Sequence, residues 1–441
     1  MYHRVHHEGL WLLSCAVAGM LLLSLGTGCD PVSANLLGIP FGKDLIPPAE
    51  ALEYHFVLGG TAERTLIART PDNEWELIRK FYENFNPLNP IASLAQLESA
   101  MTVPEDALDP VKTELIAVNL RTLESEVLMD DLPEYAYSLK TDGRWLAWME
   151  YAWDCDEEDA IQVIDLETKK QSTLFPGLAD DRIQNLTAVS DGHLILEAGP
   201  TPYTTTFLVI VDLETRETQT IDSCYLNGWY YSGYNGEGGP AILRDGVLYA
   251  SVWSVTEPFD IEDETPLTKR IEAIDLQTDE RSIVIDDPKL EVINALYVLD
   301  DRLLIDASED LNATTTIIRE YPLAGGEGKT LLELDAAVDA DTQSYASALS
   351  PHGILVSTLT YGDQTSIFGS SMRQGLEFHD MDDNVIPVRE STSNNWNFSG
   401  YVGLNGWLVD RYVIYRDPET FEYVVFDVVK QTERRFDPFE N

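Results

Sequence analysis

The chain has 441 residues, 44% of them hydrophobic and 10% aromatic, enough to bury a sizeable core and to exclude global disorder. Its 76 Asp and Glu against 29 Lys and Arg give a formal net charge of −47, which excludes nucleic-acid or anionic-membrane binding through a general basic surface. The same charge fits an acidic, well-solvated surface, as in a salt-adapted organism, or the capture of cations or a basic partner.

Residues 1–28 read as a targeting segment outside the fold. Arg4 stands in a short n-region, and Leu10 to Leu25 form an apolar run of h-region length. "GTGC" follows and ends at Cys29. Small residues ahead of a cysteine resemble a bacterial lipoprotein signal, and the resemblance implies that Cys29 is lipidated and becomes the mature N-terminus. An ordinary cleaved signal and an uncleaved anchor are the alternatives. Asp30, after the cysteine, resembles the inner-membrane retention signal of enteric bacteria. No other stretch approaches the ~18 apolar residues of a membrane span. Residues 29–52 read as a tether between lipid and fold. Cys15 leaves with the signal, so Cys155 and Cys224 remain in an oxidising compartment, where a disulfide is permitted.

From residue 53 the pattern turns to short strands. "EYHFVLGGTAERTLIART" (53–70) predicts a hairpin with Gly59-Gly60 near its turn. "NEWELIRKFYENF" and "PIASLAQLESAM" predict short amphipathic helices in an insertion at 71–113. A strand–turn–strand motif then recurs. "IQVIDLETKKQSTLF" (161–175), "FLVIVDLETRETQTI" (207–221) and "IEAIDLQTDERSIVI" (271–285) are near copies. Aligned on the Asp of "DL" or its substitute, seven copies fall at Asn119, Asp165, Asp212, Asp275, Pro322, Asp380 and Asp427. Their successive spacings are 46, 47, 63, 47, 58 and 47 residues. A second apolar hairpin precedes most copies, with Asp-Gly at 142–143, 191–192 and 245–246. That dipeptide favours a two-residue hairpin turn, because glycine accepts positive φ.

The unit is therefore four antiparallel strands, a to d. Units of this size are propeller blades: one sheet cannot bury both faces, and a ring buries each against its neighbours. The expected fold is an all-β, seven-bladed propeller over 53–441. Six blades, with the N-terminal pieces packed outside, is the alternative. The "S-x-D-G-x-L" and "I-x-x-x-D-L-x-T" signatures are similar to the propeller repeats of the TolB-like and WD40-like families of the bacterial envelope, over residues 115–437. Such families include periplasmic interaction proteins and propellers attached to hydrolases. The sequence ends at Asn441, just after the last blade, and no hydrolase domain is expected to follow.

In a propeller the b–c and d–a connections share one rim, and here they hold most of the variable material. Cys155 falls in the b–c loop of the second blade, and Cys224 begins the d–a connection leaving the third. A disulfide between them is topologically reasonable; two free thiols are the alternative. Asp154, Asp156, Glu157 and Asp159 of "WDCDEED" can supply oxygen ligands to Ca²⁺, but the run lacks the spacing and glycine of an EF-hand loop. A solvated acidic loop is the simpler reading. Trp229, Tyr230, Tyr231, Tyr234 and Trp396 resemble a stacking surface for a sugar or peptide, or else cap the core between blades.

No nucleophile elbow, HExxH, phosphate loop or Cys-x-x-Cys is present, so no catalytic residue and no cofactor is assigned. The expected function is that of a lipid-anchored extracytoplasmic module, which binds an envelope protein or glycan through its loop rim. The alternative is a secreted propeller enzyme acting on glycans through a pair of rim carboxylates.

Overall fold

The computed structural model describes residues 53–71, 113–132, 139–150, 160–174, 182–199, 206–225, 241–254, 268–287, 292–299, 301–308, 315–335, 342–361, 372–382, 384–393, 404 and 406–439. They form 28 strands in seven antiparallel sheets of four, each sheet ordered as in the chain. Seven blades are present, not six. The helices expected at 71–113 lie outside the described residues, apart from Pro71 and Thr113, which end and begin strands.

Blade 1 holds β1 (Glu53–Thr61), β2 (Arg64–Pro71), β3 (Thr113–Val118) and β4 (Ser125–Leu132). Blade 2 holds β5 (Lys140–Thr141), β6 (Trp145–Glu150), β7 (Ala160–Asp165) and β8 (Lys170–Leu174). Blade 3 holds β9 (Arg182–Ser190), β10 (His193–Gly199), β11 (Thr206–Asp212) and β12 (Thr218–Tyr225). Blade 4 holds β13 (Ala241–Arg244), β14 (Val247–Ser254), β15 (Thr268–Asp275) and β16 (Arg281–Ile285). Blade 5 holds β17 (Val292–Leu299), β18 (Arg302–Ser308), β19 (Thr315–Pro322) and β20 (Lys329–Asp335). Blade 6 holds β21 (Thr342–Ser350), β22 (Gly353–Tyr361), β23 (Met372–Asp380) and β24 (Val385–Ser393). Blade 7 holds β25 (Gly406–Val409), β26 (Tyr412–Arg416), β27 (Tyr423–Asp427) and β28 (Thr432–Phe436).

Burial follows position in the blade. The middle strands β26 and β27 are buried at every residue, because neighbouring sheets cover both faces. The outer strands β8 and β28 alternate between exposed and half-buried. Seven apolar clusters result, one at each seam between consecutive blades. The seam between blades 7 and 1 packs Ile414 and Val425 against Ile67 and Ile116. Among the described residues no sheet mixes strands from the two ends of the chain, and blades 7 and 1 meet there through side chains.

The recurring Asp is explained by the turn after the third strand. Asp165 Oδ1 accepts from the amides of Glu167 and Thr168 at 2.9 and 3.2 Å. Asp212, Asp275 and Asp427 accept from the corresponding pairs of amides. The residue four places on donates back to the Asp carbonyl and is left-handed: Arg216, Asp279 and Gln431 have φ of 66°, 59° and 51°. Burial pushes the Asp165 carboxyl up, but the Thr168 and Glu167 amides outweigh it and leave its pKa below the usual value.

The residue after the Asp has a second task. Its amide donates to a carbonyl of the first turn in the same blade. Leu120 reaches Ala62, Leu166 reaches Arg144, Leu213 reaches Gly192, Leu276 reaches Gly246, Leu323 reaches Asp301 and Val428 reaches Arg411, at 2.8 to 3.1 Å. The a–b and c–d turns are thus stitched together on one rim.

Two turns differ from expectation in detail. Asp191-Gly192 and Asp245-Gly246 are left-handed pairs, as the dipeptide predicts. At 142–143, however, the turn centres one residue later, on Gly143 and Arg144, and only Gly143 has positive φ. Asp142 is held by its side chain, which accepts from the Arg144 and Trp145 amides and, across the seam, from Gly192. Leu58 is a bulge, and Gly59 and Gly60 pair with Leu66 and Thr65 just before the first turn, which centres on Ala62 and Glu63. A Cβ on Gly60 would collide with the Arg64 carbonyl oxygen.

Candidate functional site

Short turns fill one rim, so the ends of the second and fourth strands point to the other. The long connections all leave from this second, loop rim: 72–112, 151–159, 200–205, 226–240, 255–267, 309–314, 362–371 and 394–403. Variable connections on a rigid ring are where such folds place recognition. Cys224 is the last residue but one of β12, at the loop-rim end of blade 3, so it lies within a strand and not in the connection. Cys155, the acidic residues Asp154, Asp156, Glu157 and Asp159, and the aromatic set Trp229, Tyr230, Tyr231, Tyr234 and Trp396 lie outside the described residues, as do Cys29 and the tether.

Three polar clusters mark the described part of the loop rim. The first is at the seam of blades 7 and 1. His55 Nδ1 lies 2.6 Å from the Tyr423 hydroxyl. Arg69 Nη2 donates to Glu114 Oε2 at 2.5 Å, and its guanidinium lies 4.0 Å from the centroid of the Phe439 ring. Phe439 also meets His55 edge-on, with centroids 5.7 Å apart. The segment after β28 therefore clasps both inner strands of blade 1.

The second cluster is at the seam of blades 6 and 7. Asp417 is fully buried in the b–c turn of blade 7. Its Oδ2 is 3.3 Å from Arg389 of blade 6 and 3.0 Å from Arg435 of its own outer strand. Its Oδ1 accepts from the Glu419 and Thr420 amides, so the same turn chemistry recurs here on the loop rim. Tyr415 is buried beside this group, and its pKa is pushed up to about 12, first by burial and then by Glu433.

The third is at the seam of blades 3 and 4. Glu197 pairs with Leu208 and Glu272 with Ala250, and both apolar partners belong to that seam. Directly opposed residues share a face, so two carboxylates, 3% and 4% exposed, line facing sides of one seam. Arg270 neutralises Glu272 at 2.6 Å.

Apart from Arg270 and Glu272, which share β15, these pairings carry no local sequence signal, because they join residues from different strands or blades. The Asp417 turn is the exception: "DPET" repeats the Asp-x-x-Thr of the c–d turns. Among the described residues no group of three or more His, Cys, Asp or Glu is placed to hold a metal ion. A polar groove of ≈ 490 Å³ lies on the opposite, turn rim between blades 1 and 2, lined in part by Glu63, Arg64, Asn119, Glu126, Glu167 and Lys169.

No family model and no curated relative matches the chain. It is similar to the β-propeller domain of the Trilobed protease from Pyrococcus furiosus, with 12% identity, 88% of this chain and 100% of that one covered, and a TM-score of 0.47. A prolyl endopeptidase is similar at 10% identity over 94% of this chain and 55% of that one, with a TM-score of 0.47. The acylaminoacyl peptidase of Pyrococcus horikoshii is similar at 13% identity over 87% of this chain and 52% of that one, with a TM-score of 0.46. The chain spans about half the length of these two peptidases. At such identities the likenesses say nothing about activity, and the propeller assignment rests on the seven sheets and seven seams.

Proposed function

We propose that the chain is an extracytoplasmic propeller, held to a membrane by lipid on Cys29, that binds an envelope protein or glycan through its loop rim. The observation that carries this reading is the asymmetry of the two rims. One is closed by short turns, bonded to each other in six of the seven blades, while the long connections leave from the other. A rigid ring holds the strand ends that bear these connections in fixed relative positions before a partner docks, and preorganisation is one way surfaces gain affinity. The signal resemblance and the TolB-like repeat resemblance supply the envelope address. The acid-rich composition favours a partner with basic character.

Crosslinking from each rim in turn tests the binding surface. Intact mass of protein from the native membrane fraction tests the anchor: a chain beginning at Cys29 with acyl groups supports it, and an unmodified chain cut elsewhere removes it. In that second case glycan cleavage by rim carboxylates becomes the reading to assay.

A further inference from the structure

At the seam of blades 2 and 3, side chains from both sheets cover the turn rim. Arg144 of blade 2 meets Glu214 of blade 3 at 2.7 Å. Arg216 of blade 3 reaches back to Ser172 Oγ at 2.9 Å and lies 5.8 Å from the Trp145 ring. Strand register puts Glu63, Arg64 and Glu126 of blade 1 at the places that Arg144, Trp145 and Ser172 take in blade 2. Glu167 and Lys169 follow Asp165 as Glu214 and Arg216 follow Asp212. These five residues at the seam of blades 1 and 2 are therefore the counterparts of the five that cover the next seam.

The exchange of residues opens the seam of blades 1 and 2. Glu63 and Glu167 stand where Arg144 and Glu214 attract, and two carboxylates repel. Glu63 turns instead to Arg121 of its own blade, at 2.7 Å. Arg64 stands where the Trp145 ring does and Lys169 where Arg216 does, so a cation–ring attraction gives way to a second like-charge pair. All five residues line the groove of ≈ 490 Å³ between blades 1 and 2. That volume falls within the range of small-molecule sites. Glu124 adds a fourth carboxylate against the two cations, and the buried Leu128 and Leu166 supply apolar lining.

We propose that this groove binds a small aliphatic diamine as its dication. Carboxylates that outnumber the cations of the lining select positive charge. Among the described residues no three of them gather to hold a metal ion, so they suit charges held apart on a carbon chain better than one compact ion. Methylenes between the two ammonium groups cover Leu128 and Leu166, which a hydrated metal ion would leave wet. The groove lies on the rim opposite the proposed partner surface, and neither binding event requires the other.

The test is isothermal titration of the full chain with diaminobutane at low salt. Saturable binding at a single site is expected, with butylamine and Mg²⁺ each bound severalfold more weakly. Glu63→Arg restores the Arg–Glu pair, now with Glu167, and closes the groove. It is expected to weaken diaminobutane binding roughly tenfold or more, with the melting temperature held or raised. Glu280→Arg makes the same change of charge at an exposed position in the c–d turn of blade 4, and is expected to bind like the parent. If Glu63→Arg does not fold, the double change Glu126→Gln and Glu167→Gln takes its place, with the same loss expected. Heat spread over many weak sites, equal affinities in Glu63→Arg and Glu280→Arg, or butylamine or Mg²⁺ bound as tightly as diaminobutane overturns the proposal.

Discussion

The guanidinium of Arg69 in blade 1 stacks 4.0 Å from the ring centroid of Phe439, which follows the last strand of blade 7. Among the described strands none bridges the two blades, and such contacts join them. Arg434 adds to them by donating to the carbonyl oxygens of Leu120 and Arg121. Phe439→Ala is expected to cost about 1–2 kcal/mol, from the cation–π contact and the lost aromatic area. Hydrogen exchange then accelerates in β1 and β25–β28 and stays unchanged in blades 3–5. A uniform response around the ring would place closure elsewhere.

Asp427 caps the final c–d turn through the Val429 and Lys430 amides, both at 3.1 Å, and meets Arg411 at 3.2 Å. Asp427→Ala is expected to destabilise the protein by about 0.5–2 kcal/mol, by analogy with the loss of a helix N-cap, which bonds backbone amides in the same way. Asp427→Asn keeps the acceptor and recovers part of the loss. Thermal unfolding of the two variants beside the parent measures the split between cap and ion pair.

Tyr415 gives a prediction at alkaline pH. Its hydroxyl has no hydrogen-bond partner among the described residues, and its pKa rises from 10.0 to about 12 on folding. Between those values the native state holds more protons than the unfolded chain, so this residue makes stability fall as pH rises. Tyr415→Phe removes that slope. The variant is expected to be neutral to about 1 kcal/mol more stable at pH 7, since an unpaired buried hydroxyl is lost. Its advantage grows between pH 10 and 12, as read from denaturant midpoints.

Lys140 acts with the opposite sign. Its folded pKa is lowered from 10.5, so below that value the unfolded chain binds more protons and stability rises with pH. Lys140→Met removes the buried charge and is expected to raise the melting temperature near neutral pH. The gain shrinks as pH approaches 10.5. A gain independent of pH would mean that packing, not charge, limits the site.

Blade number is legible in the sequence because the same position closes the c–d turn in most units. Asp165, Asp212, Asp275 and Asp427 close identical turns, and the neighbouring Leu or Val amide ties each turn to the a–b turn of its blade. Local chemistry of this kind leaves a periodic trace. The Asp-Gly at 142–143 misleads because its Asp side chain serves two turns at once, in blades 2 and 3. The rim clusters are not legible. His55 and Tyr423 are 368 residues apart, and Arg69 meets Glu114 across a long insertion. The first pair follows from ring closure and the second from the β2–β3 register across that insertion, and a linear pattern encodes neither. Of the expected rim residues, Cys224 alone falls on described backbone, and it sits in β12 because the ladder of that outer strand continues to Tyr225.

The central claim is that one rim recognises a partner and the other does not. A photocrosslinking residue placed at exposed Asp286 or Arg373, at the loop-rim ends of blades 4 and 6, samples the first rim. The same residue at exposed Glu214 or Gln277, in the c–d turns of blades 3 and 4, samples the second. In the native envelope, irradiation is expected to give a discrete crosslinked species from Asp286 and Arg373 and none from Glu214 and Gln277. Crosslinks from the turn positions alone, or equally from both rims, would contradict the account.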